Sequence, residues 1–184
     1  MALQQRTLII ASTAIGYFLL YQANFSLIGN TLNYAHRVDW IFLPSGLRLA
    51  FVLVFLLDGA LGIALASMII TYQQYFDGDY VKLLVSGSLA GIGPYAAMQA
   101  ASFILKLDEE LTNLSSIGVF KLAVFFAFVS SLIHQLWYFW IGTNEQFVDT
   151  LIVMFIGDLL GSIVVLGFLQ ILLKGIRSFQ RQMP

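Results

Sequence analysis

Three ionisable side chains, Arg48, His134 and Asp158, sit inside long apolar runs. Taking a charge out of water is costly, so such groups are found paired, hydrogen-bonded or employed in binding and proton transfer. Their depths can be compared at about 1.5 Å per helical residue, counted from the polar end of each run. By that rise Arg48 lies about 12 Å beyond Trp40, Asp158 about 16 Å beyond Phe147 and His134 about 10 Å before Ile141. Separate segments therefore bring a guanidinium, a carboxyl and an imidazole to similar depth. An Arg48–Asp158 ion pair with His134 nearby is expected. It could lock one helix against another, with His134 bonded to a carbonyl. Alternatively the groups line an outward-facing pocket or a proton path.

Other chemistry is missing. There is no H-E-x-x-H zinc motif, no G-x-S-x-G nucleophile elbow and no G-x-x-x-x-G-K-[ST] phosphate loop. Leu43-Pro44-Ser45-Gly46 resembles none of them. Cysteine is absent, which removes thiolate metal sites and thiol nucleophiles. His36 is expected in a loop, leaving His134 as the one helical histidine, so a bis-histidine haem is not expected. A net charge of -1 with no basic stripe argues against nucleic-acid binding. The sequence reads as non-enzymatic, with no catalytic residue, metal or cofactor.

The elements that must position these residues follow from composition. Of 184 residues 59% are hydrophobic and 10% charged, and the mean hydropathy is +0.86. Soluble domains carry about 25% charged residues, so lipid is the solvent that fits. One crossing takes about 20 apolar residues. The expectation is an all-α integral membrane bundle of about six transmembrane helices, forming a single transmembrane domain over 1–184. The spans are read as 8–28, 40–57, 60–75, 81–105, 117–141 and 147–173. The first is read as a retained helix and not a signal peptide, because no A-x-A cleavage site follows it. Asp58-Gly59 is read as the turn between the second and third spans, and one broken crossing over 40–75 would reduce the count to five. With six crossings and a cytoplasmic N-terminus, Arg6, Lys106, Lys121, Lys174, Arg177 and Arg181 fall inside, and only Arg37 and Lys82 outside. This bias places both termini in the cytoplasm.

Aromatic and small residues refine the picture. Trp40 and the cluster Trp137, Tyr138 and Trp140 are expected at the outer membrane–water boundary, where such rings are favoured. Gly87-x-x-x-Gly91, Gly93-x-x-x-Ala97-x-x-x-Ala101 and Gly157-x-x-x-Gly161 each place small residues on one helix face, where helices can approach closely. Pro94 is expected to kink the fourth span. Gln22, Asn24 and Gln99 are expected to hydrogen-bond between helices.

The run Trp40-Ile41-Phe42-Leu43-Pro44-Ser45-Gly46-Leu47-Arg48 resembles the Trp-x-Pro-x-Gly region of the MASE1 family of membrane sensory domains, with one extra residue before Pro44. Leu57-Asp58-Gly59-Ala60 fits that family's continuation, and Phe155-Ile156-Gly157-Asp158-Leu159-Leu160-Gly161 is similar to its closing Gly-Asp-x-x-Gly helix. The matched runs include Trp40, Pro44, Gly46, Asp58, Gly59, Gly157 and Gly161, and they carry Arg48 and Asp158. The resemblance implies a bacterial inner-membrane sensory domain that normally precedes a kinase or cyclase module. No such module lies within this sequence, so signalling is expected to run through a partner membrane protein. In size and helix number the chain also resembles the S-components of energy-coupling-factor transporters. That resemblance implies capture of a small ligand from the outer face and a separate ATPase. A third expectation is an accessory structural subunit of a larger membrane complex.

Overall fold

The computed structural model describes residues 2–35, 37–75, 77–108 and 115–180. His36, Phe76, Arg181 and 109–114 of the charged 106–116 loop lie outside the described residues. Apart from one two-stranded hairpin the structure is helical: α1 (Leu3–Asn24), a π-helical stretch (Phe25–Gly29), a single turn α2 (Asn30–Leu32), β1 (Asn33–Ala35), β2 (Val38–Asp39), α3 (Pro44–Tyr75), α4 (Tyr80–Leu105), α5 (Ser116–Trp140) and α6 (Phe147–Gln180). Among the described residues five stretches are long and apolar enough to cross a membrane: Leu3–Gly29, Pro44–Tyr75, Tyr80–Ile104, Ile117–Trp140 and Phe147–Ile176.

The expected division of 40–75 is present but shifted: α3 consists of two helical limbs that meet at a break at Leu56 (φ 49°, ψ -126°), two residues before the expected Asp58-Gly59 turn. A straight helix of this length would hold its ends about 46 Å apart. Yet Phe42, just before α3, stacks edge-on against Tyr21, and Tyr75, its last residue, shares a 2.9 Å hydrogen bond with the same tyrosine. The element therefore folds back on itself at Leu56. Gly59, just past the bend, lies against the Phe51 carbonyl, where a Cβ has no room. Asp58 does not cap a turn here. Its carboxylate accepts three hydrogen bonds from Arg6 of α1 (2.8–3.1 Å).

The polar stretch 30–39, expected as a loop, forms α2 and an antiparallel hairpin instead, with Asn33 paired to Asp39 and Ala35 to Val38. Residues 40–43 then enter the bundle without helical structure. Such backbone is tolerated at membrane depth only if its polar groups find partners inside the protein. They do: Trp40 N–H donates to the Leu32 carbonyl, Phe42 N–H to that of Gly157, and Leu43 N–H to Asn24 Oδ1. Gly157 and Gly161 of α6 make this approach possible, since a Cβ on either would overlap the carbonyls of Asp39 and Phe42. Their small-residue face thus receives a non-helical segment of chain, where a helix contact was expected. Gly87 and Gly91 do serve helix packing, of α4 onto α3 at Met68, Ala60 and Ala64. Ala97 is buried in a cluster with Leu49, Leu122 and Phe126, and a second cluster joins Tyr17, Val52, Ile63 and Met98.

Helix ends are fixed locally. The Asp79 carboxylate accepts from the N–H groups of Val81 and Lys82 at the start of α4, and Ser115 Oγ accepts from Gly118 N–H at the start of α5. Helix α4 continues through Pro94. Around the outside, Ile15, Phe103, Ile117, Trp140 and Ile171 are among many large apolar side chains left exposed. A soluble protein rarely leaves so broad a surface apolar, whereas lipid covers it without cost.

Candidate functional site

The interior opens into a cavity of about 430 Å³ lined by all five long helices and by the hairpin. Helix α1 supplies Tyr17 and Tyr21, one turn apart on one face. Helix α3 supplies Arg48 from its first half and Ser67, Thr71 and Tyr75 from its second. Ser86 and Ala90 come from α4, His134 and Tyr138 from α5, and Met154 and Asp158 from α6. Asn33, Arg37 and Asp39 of the hairpin stand on the same cavity.

Arg48, His134 and Asp158, singled out in the sequence, thus share one site, and each is at most 3% exposed. The expected Arg48–Asp158 ion pair is not formed: among the described residues the salt bridges are Arg6–Asp58 and Lys82–Asp77. Arg48 and Asp158 face one another through space, with the Ser130 and Ser131 hydroxyls beside the carboxyl. One guanidinium nitrogen of Arg48 donates weakly to Ser130 Oγ (3.4 Å), and the group lies 4.9 Å from the Phe42 ring centroid. Its Nε and both carboxylate oxygens of Asp158 are buried with no hydrogen-bond partner. The spacing follows from backbone path. Residues 40–43 are not helical, so the helical rise counted from Trp40 does not apply to Arg48.

His134 Nδ1 lies 2.8 Å from the Ser130 carbonyl, which can only accept, so that nitrogen carries the proton. The ring then turns Nε2 away from the Ser130 carbonyl. Above the floor, Tyr21 and Tyr75 join hydroxyl to hydroxyl, and the Arg37 guanidinium covers the Tyr75 ring at 4.2 Å. Asn33 donates to Asp39 Oδ1 at 2.9 Å, while burial pushes the Asp39 carboxyl above its ordinary value. No group of three or more His, Asp or Glu side chains that could hold a metal occurs among the described residues.

Comparisons with family models, curated proteins and solved structures found no match. The site's chemistry is therefore read from its own atoms.

Several lining residues were not picked out by sequence. Arg37 and Asp39 passed as loop charges, and Tyr17, Tyr21, Tyr75 and Ser67 as ordinary residues of a span. The i, i+4 spacing of Tyr17 and Tyr21 was the available signal. The aromatic cluster divides: Trp140 is 78% exposed, as a boundary residue should be, whereas Trp137 is buried and donates its indole N–H to Ser86 Oγ at 2.8 Å. Trp40 is 40% exposed and meets Tyr34 edge-on. Of the polar candidates, Gln22 accepts from Gln74 of α3 (3.0 Å), Asn24 holds Leu43, and Gln99 bonds Tyr95 within its own helix.

Proposed function

We propose that this chain is a non-enzymatic, multi-pass protein of the bacterial inner membrane that captures a small ligand from the outer face. The observation that carries the reading is the central cavity, where buried polar atoms of Arg48, Ser67 and Asp158 have no protein partner. Leaving such atoms unpaired costs about 1–3 kcal/mol each, so a fold keeps them where something else supplies the bond. That Arg48 and Asp158 line the cavity without forming a salt bridge supports binding over a helix lock. Concave sites of about 300–1,000 Å³ with a few convergent polar groups are the usual form of small-molecule sites.

In this reading each limb of α3 makes its own crossing, giving six, and both termini face the cytoplasm. The hairpin and the cavity mouth then face outward, as the Lys/Arg distribution favours. Ligand capture serves a sensory domain of the MASE1 kind and a transport subunit of the S-component kind alike. Both need a partner membrane protein, and the partner separates them: a kinase or cyclase for signalling, an ATPase with a coupling subunit for uptake.

Native mass spectrometry of the chain purified in mild detergent tests capture. A small-molecule adduct is expected on the native protein and should be lost from Ala90→Phe, whose ring would occupy the cavity. An adduct of equal intensity on both proteins would refute the cavity as the site.

A further inference from the structure

The floor of the cavity is more specific than its volume. Arg48 and Asp158 come from α3 and α6, are 3% and 0% exposed, and both line the same space. Arg48 leaves a donor unused and Asp158 leaves two acceptors unused. Their charges are opposite, so the floor as a whole is neutral while each half is strongly polar. A multiply charged anion such as a phosphate would meet Arg48 but be repelled by Asp158. A simple cation would meet the reverse. The complement is a molecule that offers both kinds of group side by side.

The walls add shape. Tyr17, Tyr21, Tyr75 and Tyr138 surround the space above the floor, and Phe42 lies against the Arg48 guanidinium. Flat rings pack against aromatic faces with offset or edge-on geometry. From these two features, and resting on the ligand-capture reading, we infer that the ligand is a planar aromatic molecule presenting an accepting or anionic group to Arg48 and an adjacent N–H donor to Asp158. That pattern occurs in an aromatic zwitterion and in the edge of a nitrogen heterocycle. In the latter a ring carbonyl would accept from the guanidinium while the neighbouring ring N–H donates to the carboxylate. The same donor–acceptor logic lets arginine and acidic side chains read base edges in nucleic acids.

Isothermal titration of the detergent-purified full chain against two matched series tests this. The indole series is L-tryptophan, with tryptamine and indole-3-propionate as its single-charge analogues and indole as the bare ring. The heterocycle series is 9-methylhypoxanthine, with 9-methylpurine as the ring lacking both the carbonyl and the N–H. In one series the compound with both groups should bind at least about tenfold more tightly than its analogues, the loss expected when a charged hydrogen bond is left unmade. The series that responds identifies the source of the pattern. Arg48→Met and Asp158→Asn should each abolish the preference, and the comparison on the unaltered protein stands even if a variant fails to fold. If the bare rings bind as tightly as the doubly functional compounds and Ala90→Phe excludes them, the cavity captures ligands but the floor does not select them. That result overturns this inference and leaves the capture reading intact. If no compound binds and native mass spectrometry shows no adduct, both fall.

Discussion

Gly161→Ala places one methyl group where the structure has none to spare. A Cβ built there overlaps the Phe42 carbonyl and comes within 2.8 Å of Ser45 Oγ. Neither neighbour is the loose end of a flexible side chain. Phe42 belongs to the non-helical segment held by its N–H bond to the Gly157 carbonyl (3.1 Å), and Ser45 Oγ donates to the Asp158 carbonyl at 2.7 Å. Relief requires moving residues 40–45 off α6, which strains the packing and stretches both bonds. Overpacking costs about 1–3 kcal/mol and each of the two weakened bonds about 1 kcal/mol, so a loss of about 3–5 kcal/mol is expected. Gly167→Ala, six residues on in α6, is the control: its Cβ meets nothing within 4 Å. There the removal of glycine from a helix interior should add about 0.5–1 kcal/mol. The assay is reversible unfolding in mixed micelles by titration with sodium dodecyl sulfate, followed by tryptophan fluorescence. Equal stabilities for Gly161→Ala and the native chain would refute the seating of the non-helical segment on α6.

Leu56 holds a left-handed φ of 49° and is 52% exposed, so Leu56→Gly should stabilise the chain by about 1 kcal/mol, whereas Leu56→Val should destabilise it, both read in the same unfolding assay. Ser86→Ala removes the acceptor of the buried Trp137 indole N–H and should cost about 1 kcal/mol, with a shift in tryptophan emission. The Asp39 carboxyl is raised by burial, so the folded state holds its proton more tightly than the unfolded chain does. Its contribution to stability therefore falls as pH rises from the unfolded value of 3.8 through the folded one. Asp39→Asn should remove that decline, and the difference between the two stability–pH curves should become constant below the unfolded value. Identical curves for the two proteins would contradict the burial of Asp39.

Hydropathy made the long helices legible because lipid demands runs of apolar residues whatever their neighbours. It placed the division of Pro44–Tyr75 at Asp58-Gly59, whereas the break lies at Leu56, because composition marks turn-forming residues and not backbone dihedrals. The meeting of Arg48, His134 and Asp158 was legible from cost: each is a buried polar group that needs a reason. Their separation was not, because it depends on the non-helical path of 40–43, which no periodicity marks. Gly157 and Gly161 announced close packing but not what packs there, since a small-residue face accepts a helix or a strand equally well. Arg37 and Asp39 were invisible as site residues because only the hairpin pairing of Asn33 with Asp39 folds them over the cavity.

The chain contains no cysteine, so a single introduced thiol reports its own surroundings without background. Thr71→Cys would place that thiol on the wall of the cavity. In intact spheroplasts a small, charged, membrane-impermeant methanethiosulfonate should modify it, while Leu122→Cys, fully buried between helices, should not react. Modification of Thr71→Cys only in inverted vesicles, or from neither side, would contradict a water-filled site open to the outer face.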